Sequence, residues 1–194
     1  ISHLKLASNR LLGTASTLLK KLDTALADGI TISADIYPYT AWQSTMLILI
    51  PNRNPENQSA IREALDKIAP PESIRFSSFP PNPNYIGRTL KEISEDIEED
   101  PVAVFSSLAK ASIKWTKRTG EPGDSIIAGI MDERDIRQLM MWSNTSIGSD
   151  GGLDDKHPRG KGTYPKILSR YVREEGLISL ETAIYKMTSL PAKQ

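Results

Sequence analysis

Two features of the sequence predict an α/β protein with a parallel sheet. Residues 1–40 read as strand, helix, strand, and a short apolar run near the carboxyl end leads into Ile147-Gly148-Ser149-Asp150-Gly151. Between them a proline-broken stretch predicts a largely helical insertion. The chain thus divides into a βαβ segment (1–50), an inserted cap with connecting helices (51–142), and a last strand, ligand loop and helices (143–194).

Alternation in Ile1-Ser2-His3-Leu4-Lys5 places Ile1, His3 and Lys5 on one face of a strand. A histidine and a lysine at a strand end suit a metal ion and an anion; the alternative is an ordinary surface histidine. From Thr14 to Asp28, residues Ala15, Leu18, Leu19, Leu22, Ala25 and Leu26 recur at helical spacing, with Thr14 as N-cap and Gly29 as the stop. The β-branched run from Ile30 makes a strand that ends at Tyr37, before Pro38. A right-handed crossover between parallel strands brings His3 and Tyr37 to the same rim of a sheet or barrel.

Seven prolines, Pro51, Pro55, Pro70, Pro71, Pro80, Pro81 and Pro83, break the middle into short pieces. Helices are predicted over 59–69, from a Thr89/Glu92 capping box to about residue 98, from Pro101 to about residue 111, and over 133–142 behind an Asp132 cap. Insertions of this kind commonly close over active sites; a surface excursion is the alternative. Asp150 follows the last strand at its C-terminal tip, a usual seat for catalytic groups in α/β proteins. The alternative is a turn in which it only accepts backbone N–H bonds. A short acidic loop then leads to His157-Pro158-Arg159 and Gly162-Thr163-Tyr164-Pro165.

The 194 residues are 39% hydrophobic, and 24 Lys and Arg balance 24 Asp and Glu, so net charge draws the chain neither to nucleic acid nor to an anionic membrane. Small molecules are the expected partners. The longest apolar run, 46–50, is stopped by Pro51 and is far too short to span a bilayer. Without cysteine there is no disulfide and no thiolate zinc site, which fits a cytoplasmic location. The start at Ile1, with no methionine, basic leader or apolar signal region, reads as an interior starting point.

The segments Ser2-His3-Leu4-Lys5, Asp35-Ile36-Tyr37-Pro38-Tyr39-Thr40-Ala41, Ile147-Gly148-Ser149-Asp150-Gly151, His157-Pro158-Arg159, Gly162-Thr163-Tyr164-Pro165 and the closing 186–192 occur in one order along nearly the whole chain. In this they resemble the N-acyl-D-amino-acid deacylases (D-aminoacylases) of the amidohydrolase superfamily. The resemblance implies the C-terminal part of a metal-dependent (β/α)8 TIM-type barrel that hydrolyses the amide of N-acyl-D-amino acids with one or two Zn²⁺ ions. It implies His3 and Asp150 as metal ligands and Asp150 as general base. Lys5, Tyr37, Ser44 and Arg159 are implied as substrate-binding residues, with Arg159 on the substrate carboxylate. A guanidinium suits that task because it offers two parallel hydrogen bonds.

His157, fixed by the turn before Pro158, either orients the loop or serves a ligand, and the two readings stay open. His3 and His157 are the only histidines, so the family's His-x-His pair and bridging ligand are expected outside this sequence, in a missing barrel half of the same or a partner chain. Two other readings stand beside the deacylase: another amidohydrolase, such as a cyclic-amide hydrolase, and a non-catalytic barrel fragment.

Overall fold

The computed structural model describes residues 1–152 and 156–193, so the acidic loop at 153–155 lies outside the described residues. In chain order the elements are α1 (Ala15–Ala27), β1 (Ala34–Ile36), β2 (Trp42–Ser44), α2 (Gln58–Lys67), β3 (Ile74–Ser78), α3 (Leu90–Asp96), α4 (Pro101–Thr119), β4 (Ser125–Ala128) and α5 (Glu133–Met141). After them come β5 (Thr145–Ile147), α6 (Arg159–Lys166), a π-helix (Ile167–Glu174), α7 (Leu180–Met187) and α8 (Ser189–Ala192). The chain is α/β and forms two compact units. Unit 1 holds Ile1–Ala7, Leu11–Thr40 and Met131–Gln194; unit 2 holds Ser8–Arg10 and Ala41–Ile130.

In unit 1, β1 and β5 pair in parallel, with Ala34 opposite Thr145 and Ile36 opposite Ile147. The amino-terminal segment runs along the other edge of β1: Leu4 N–H donates to Asp35 O at 2.7 Å and Asp35 N–H donates to Ile1 O at 3.1 Å. It is not the regular strand that the alternation of Ile1, His3 and Lys5 predicts. The chain kinks at His3, whose φ is 47°, and the His3 N–H donates to the Asp35 carboxylate at 3.0 Å instead of to a backbone carbonyl. β1 is also shorter than the expected 30–37, because its ladder with β5 begins only at Ala34.

α1 forms where its apolar spacing predicts, and Gly29 ends it in the left-handed conformation that glycine adopts without penalty (φ 84°). Thr14 stands at the N-cap position but does not cap, since its hydroxyl donates to Leu11 O. The buried carboxylate of Asp135 on α5 does that work, accepting from Gly13 N–H at 2.6 Å and Ala15 N–H at 3.0 Å. Ile36 and Ile147 from the sheet pack with Leu139 and Met140 of α5, Ile167 and Tyr171 of the π-helix and Ala183 of α7 to make the core. The π-helix was not anticipated.

Unit 2 is more than the helical cap predicted. It holds a three-stranded antiparallel sheet in the order β2-β4-β3. Strands this short, paired across many tens of residues, leave little periodic trace in a sequence. The helices fare better. The Thr89/Glu92 capping box has both halves in place, at 3.1 and 2.7 Å. α4 runs beyond its expected end near residue 111 to Thr119, where Gly120 closes it with φ 79°. Asp132 caps α5 by accepting from Arg134 N–H at 2.6 Å, and α5 packs in unit 1. No described helix is long and apolar enough to cross a membrane.

Candidate active site

The site is built within unit 1 at the C-terminal ends of β1 and β5. All three residues of β5 are buried, and the chain leaves it through Gly148, where a Cβ would press on the Asp35 carboxylate at 3.2 Å. Asp150 follows in the left-handed region, with φ 48°. Non-glycine residues hold such φ values sparingly, Asp and His more readily than most, and they recur at functional sites. His3 shares this strain, so the two residues expected to bind metal both occupy it.

Glycines admit the Asp150 loop onto α6. A Cβ on Gly151 would lie 2.5 Å from the Gly160 backbone, and one on Gly160 would lie 2.5 Å from Gly152 O. This close approach delivers the guanidinium of Arg159, on the first turn of α6, to Asp150. Its Nη1 is 2.8 Å from Asp150 Oδ2, and only 7% of the arginine side chain is exposed. His3 Nε2 is 3.3 Å from the other oxygen, Oδ1, and Lys5 Nζ is 4.0 Å from Oδ2.

Tyr37 forms the floor, with the Arg159 guanidinium 4.9 Å and the Lys5 ammonium 5.3 Å from its ring centre. Burial pushes the Tyr37 phenol up to about 12, against the opposing pull of Arg159. Its hydroxyl and Arg159 Nε are buried without an aligned hydrogen-bond partner among the described residues. Buried polar atoms left this way are usual where a ligand or water completes the site. Burial also lowers the pKa of Lys5; Arg159 adds to that lowering, and Asp150 and Asp35 oppose it.

The structure therefore gathers five of the six expected residues, His3, Lys5, Tyr37, Asp150 and Arg159, into one cluster. Ser44 lies in unit 2, half-buried on β2 opposite Ile126. Sequence reasoning missed the part played by Asp35, which holds His3 through its backbone N–H. The signal was its place two residues before Tyr37 in a quoted motif. As a metal centre the cluster is incomplete: His3 and Asp150 offer one nitrogen and one carboxylate that converge, and no group of three or more His, Cys, Asp or Glu suited to a metal occurs among the described residues.

No family model matches the chain. Relatives do match, from one end of it to the other. N-acyl-D-glutamate deacylase of Alcaligenes xylosoxydans xylosoxydans is 32% identical over 195 residues, covering 100% of this chain and 34% of that protein. A solved structure described as a D-aminoacylase that defines a novel subset of amidohydrolases superposes with a TM-score of 0.76 at 29% identity, over 100% of this chain and 35% of its own. The chain resembles the N-acyl-D-amino-acid deacylases throughout. A deacylase of this kind from Bordetella bronchiseptica, complexed with zinc and a phosphonate that mimics the tetrahedral intermediate, gives a TM-score of 0.75 at 27% identity over 100% of this chain and 35% of that one. The chain thus spans about a third of the length of the deacylases it matches.

Proposed function

We propose that the protein carrying this chain hydrolyses the amide bond of N-acyl-D-amino acids, and that the chain supplies the C-terminal part of a (β/α)8 barrel. The observation that carries this reading is the convergence of His3, Lys5 and Arg159 on Asp150 at the sheet's C-terminal edge, within a chain similar throughout to deacylases. His3 and Asp150 fit as two ligands of a metal site that holds one or two zinc ions, the remaining ligands coming from elsewhere. Zinc bound there would supply Lewis acidity and lower the pKa of water to about 7.

The chain's own groups divide the remaining work. Asp150 takes a proton from the attacking water and returns it to the departing amide nitrogen, which leaves as the free amine of the D-amino acid. Arg159 receives the substrate carboxylate, having donors beyond the one directed at Asp150. Lys5 adds a second positive charge at the same rim, and Tyr37 walls the pocket beneath both.

The test is hydrolysis of N-acyl-D- against N-acyl-L-amino acids and against N-acyl-D-amino-acid carboxamides, with bound metal quantified. Selective turnover of the D-carboxylates with zinc present is expected. Equal turnover of a carboxylate and its carboxamide would remove the Arg159 clamp, and hydrolysis of cyclic amides alone would replace the reading.

A further inference from the structure

Resting on the deacylase reading, we infer that His157 is a positioning residue for Arg159, locking the first turn of α6 so that the guanidinium meets the substrate carboxylate in one orientation. A helix leaves its first N–H groups without intrahelical partners, and a side chain at the N-cap normally accepts one of them. Here that position is Pro158, which has nothing to offer. The residue before it does: His157 Nδ1 accepts the Arg159 backbone N–H at 3.1 Å, inside the fold where the histidine is only 2% exposed.

The bond tethers the residue that would grip substrate. To accept at Nδ1 a neutral imidazole must carry its proton on Nε2, so the contact selects one tautomer.

The ring is also gripped from two sides. Tyr37 meets it edge-on, with centroids 6.0 Å apart and planes at 67°, and Tyr39 does so at 5.4 Å and 87°. Tyr39 is pinned in turn. The Lys166 ammonium lies 4.3 Å from its ring centre while donating to Pro38 O, and Gly162 leaves space for its hydroxyl. Tyr37 is the ring on which the Arg159 guanidinium rests. One imidazole therefore ties the backbone of Arg159 to the aromatic surface under its side chain, and a shift of the ring moves both. The dipeptide His157-Pro158 makes this possible, because the proline fixes the backbone where the chain enters α6.

Two measurements test the inference on the active protein that contains this chain. The first is the nitrogen NMR signature of His157 at a pH where the ring is neutral. A protonated Nε2 and a bare Nδ1 are expected, and a protonated Nδ1 would overturn the proposal. The second compares His157→Leu, His157→Asn, His157→Gln and Arg159→Ala, each on an N-acyl-D-amino acid and its carboxamide. His157→Leu should raise KM for the carboxylate roughly tenfold, hold kcat within about threefold and lose most of the preference over the carboxamide.

Asparagine places its oxygen near the site of Nδ1 and should restore that preference. Glutamine reaches to the place of Nε2 and should not, which separates the effect from loss of folding. Full preference in His157→Leu alongside its loss in Arg159→Ala would sink the positioning role and leave the clamp standing. Full preference in Arg159→Ala would sink the clamp, and the positioning role with it.

Discussion

Replacing Asp150 by asparagine separates chemistry from structure. The backbone at Asp150 has φ 48°, a region asparagine tolerates as well as aspartate does, and the side chains have the same shape, so the loop should persist. What disappears is the charge. The Arg159 guanidinium, 7% exposed, then loses its partner at 2.8 Å; a hydrogen bond between charged groups contributes about 1.5–3 kcal/mol. Lys5, at 4.0 Å, loses less. A loss of that size leaves a domain of ordinary stability, about 5–15 kcal/mol, folded.

Turnover should fall much further. An amide cannot accept the proton of the attacking water, and a general base contributes about 10²–10⁴-fold, so a loss of about three orders of magnitude is expected. The assay is steady-state turnover of an N-acyl-D-amino acid, paired with a denaturant titration of each protein. Turnover within tenfold of the parent would exclude Asp150 as the base. A collapsed denaturation midpoint would reassign it to holding the loop on α6.

Three further outcomes follow from the geometry. Asp135→Ala leaves the N–H groups of Gly13 and Ala15 without their acceptor, and a buried unsatisfied donor costs about 1–3 kcal/mol, so a denaturant titration should show a loss of about 3 kcal/mol; a loss below about 1 kcal/mol would mean that Thr14 takes over the cap. Gly151→Ala drives a methyl group into the Gly160 backbone, and overpacking of this kind costs about 1–3 kcal/mol. It should also raise KM by displacing Asp150 from Arg159, and unchanged KM and stability would show that the loop yields freely.

Lys186 supplies the pH dependence. Its ammonium donates to Trp142 O at 2.6 Å and Thr145 O at 2.9 Å, and burial lowers its pKa to about 8. An unfolded lysine titrates at about 10.4, so between about pH 8 and 10 the unfolded chain holds more protons and stability rises with pH. Below about pH 8 both states are charged and the burial penalty is constant. Melting temperatures from pH 7.5 to 10 should climb more steeply in the parent than in Lys186→Met, whereas equal slopes would contradict the assignment. Above about pH 10 the raised pKa of Tyr37 works in the opposite sense.

Periodicity and punctuation were enough to place α1, the Thr89/Glu92 capping box, the start of α4 at Pro101 and the Asp132 cap, because each depends on residues within one or two helical turns. The apolar run ending at Ile147 likewise revealed a buried strand with Asp150 beyond its tip, and the quoted motifs named the residues that now cluster. What the sequence could not show is how distant groups replace local ones. Thr14 looks like a cap, yet the carboxylate that caps α1 comes from Asp135, over a hundred residues away. The regular alternation of Ile1, His3 and Lys5 gives way to a kink because the Asp35 side chain captures the His3 N–H.

The antiparallel sheet of unit 2 joins strands of three to five residues, too short for a period of two to stand out. The meeting of Asp150 with Arg159, and of His157 with Tyr37 and Tyr39, likewise needs the loop to close on α6. Local sequence selects backbone conformation one turn at a time, whereas a site is made of contacts whose loop-closure entropy is repaid only by the packed core. The sequence by itself therefore named the candidate residues, and the tertiary structure alone decided which of them touch.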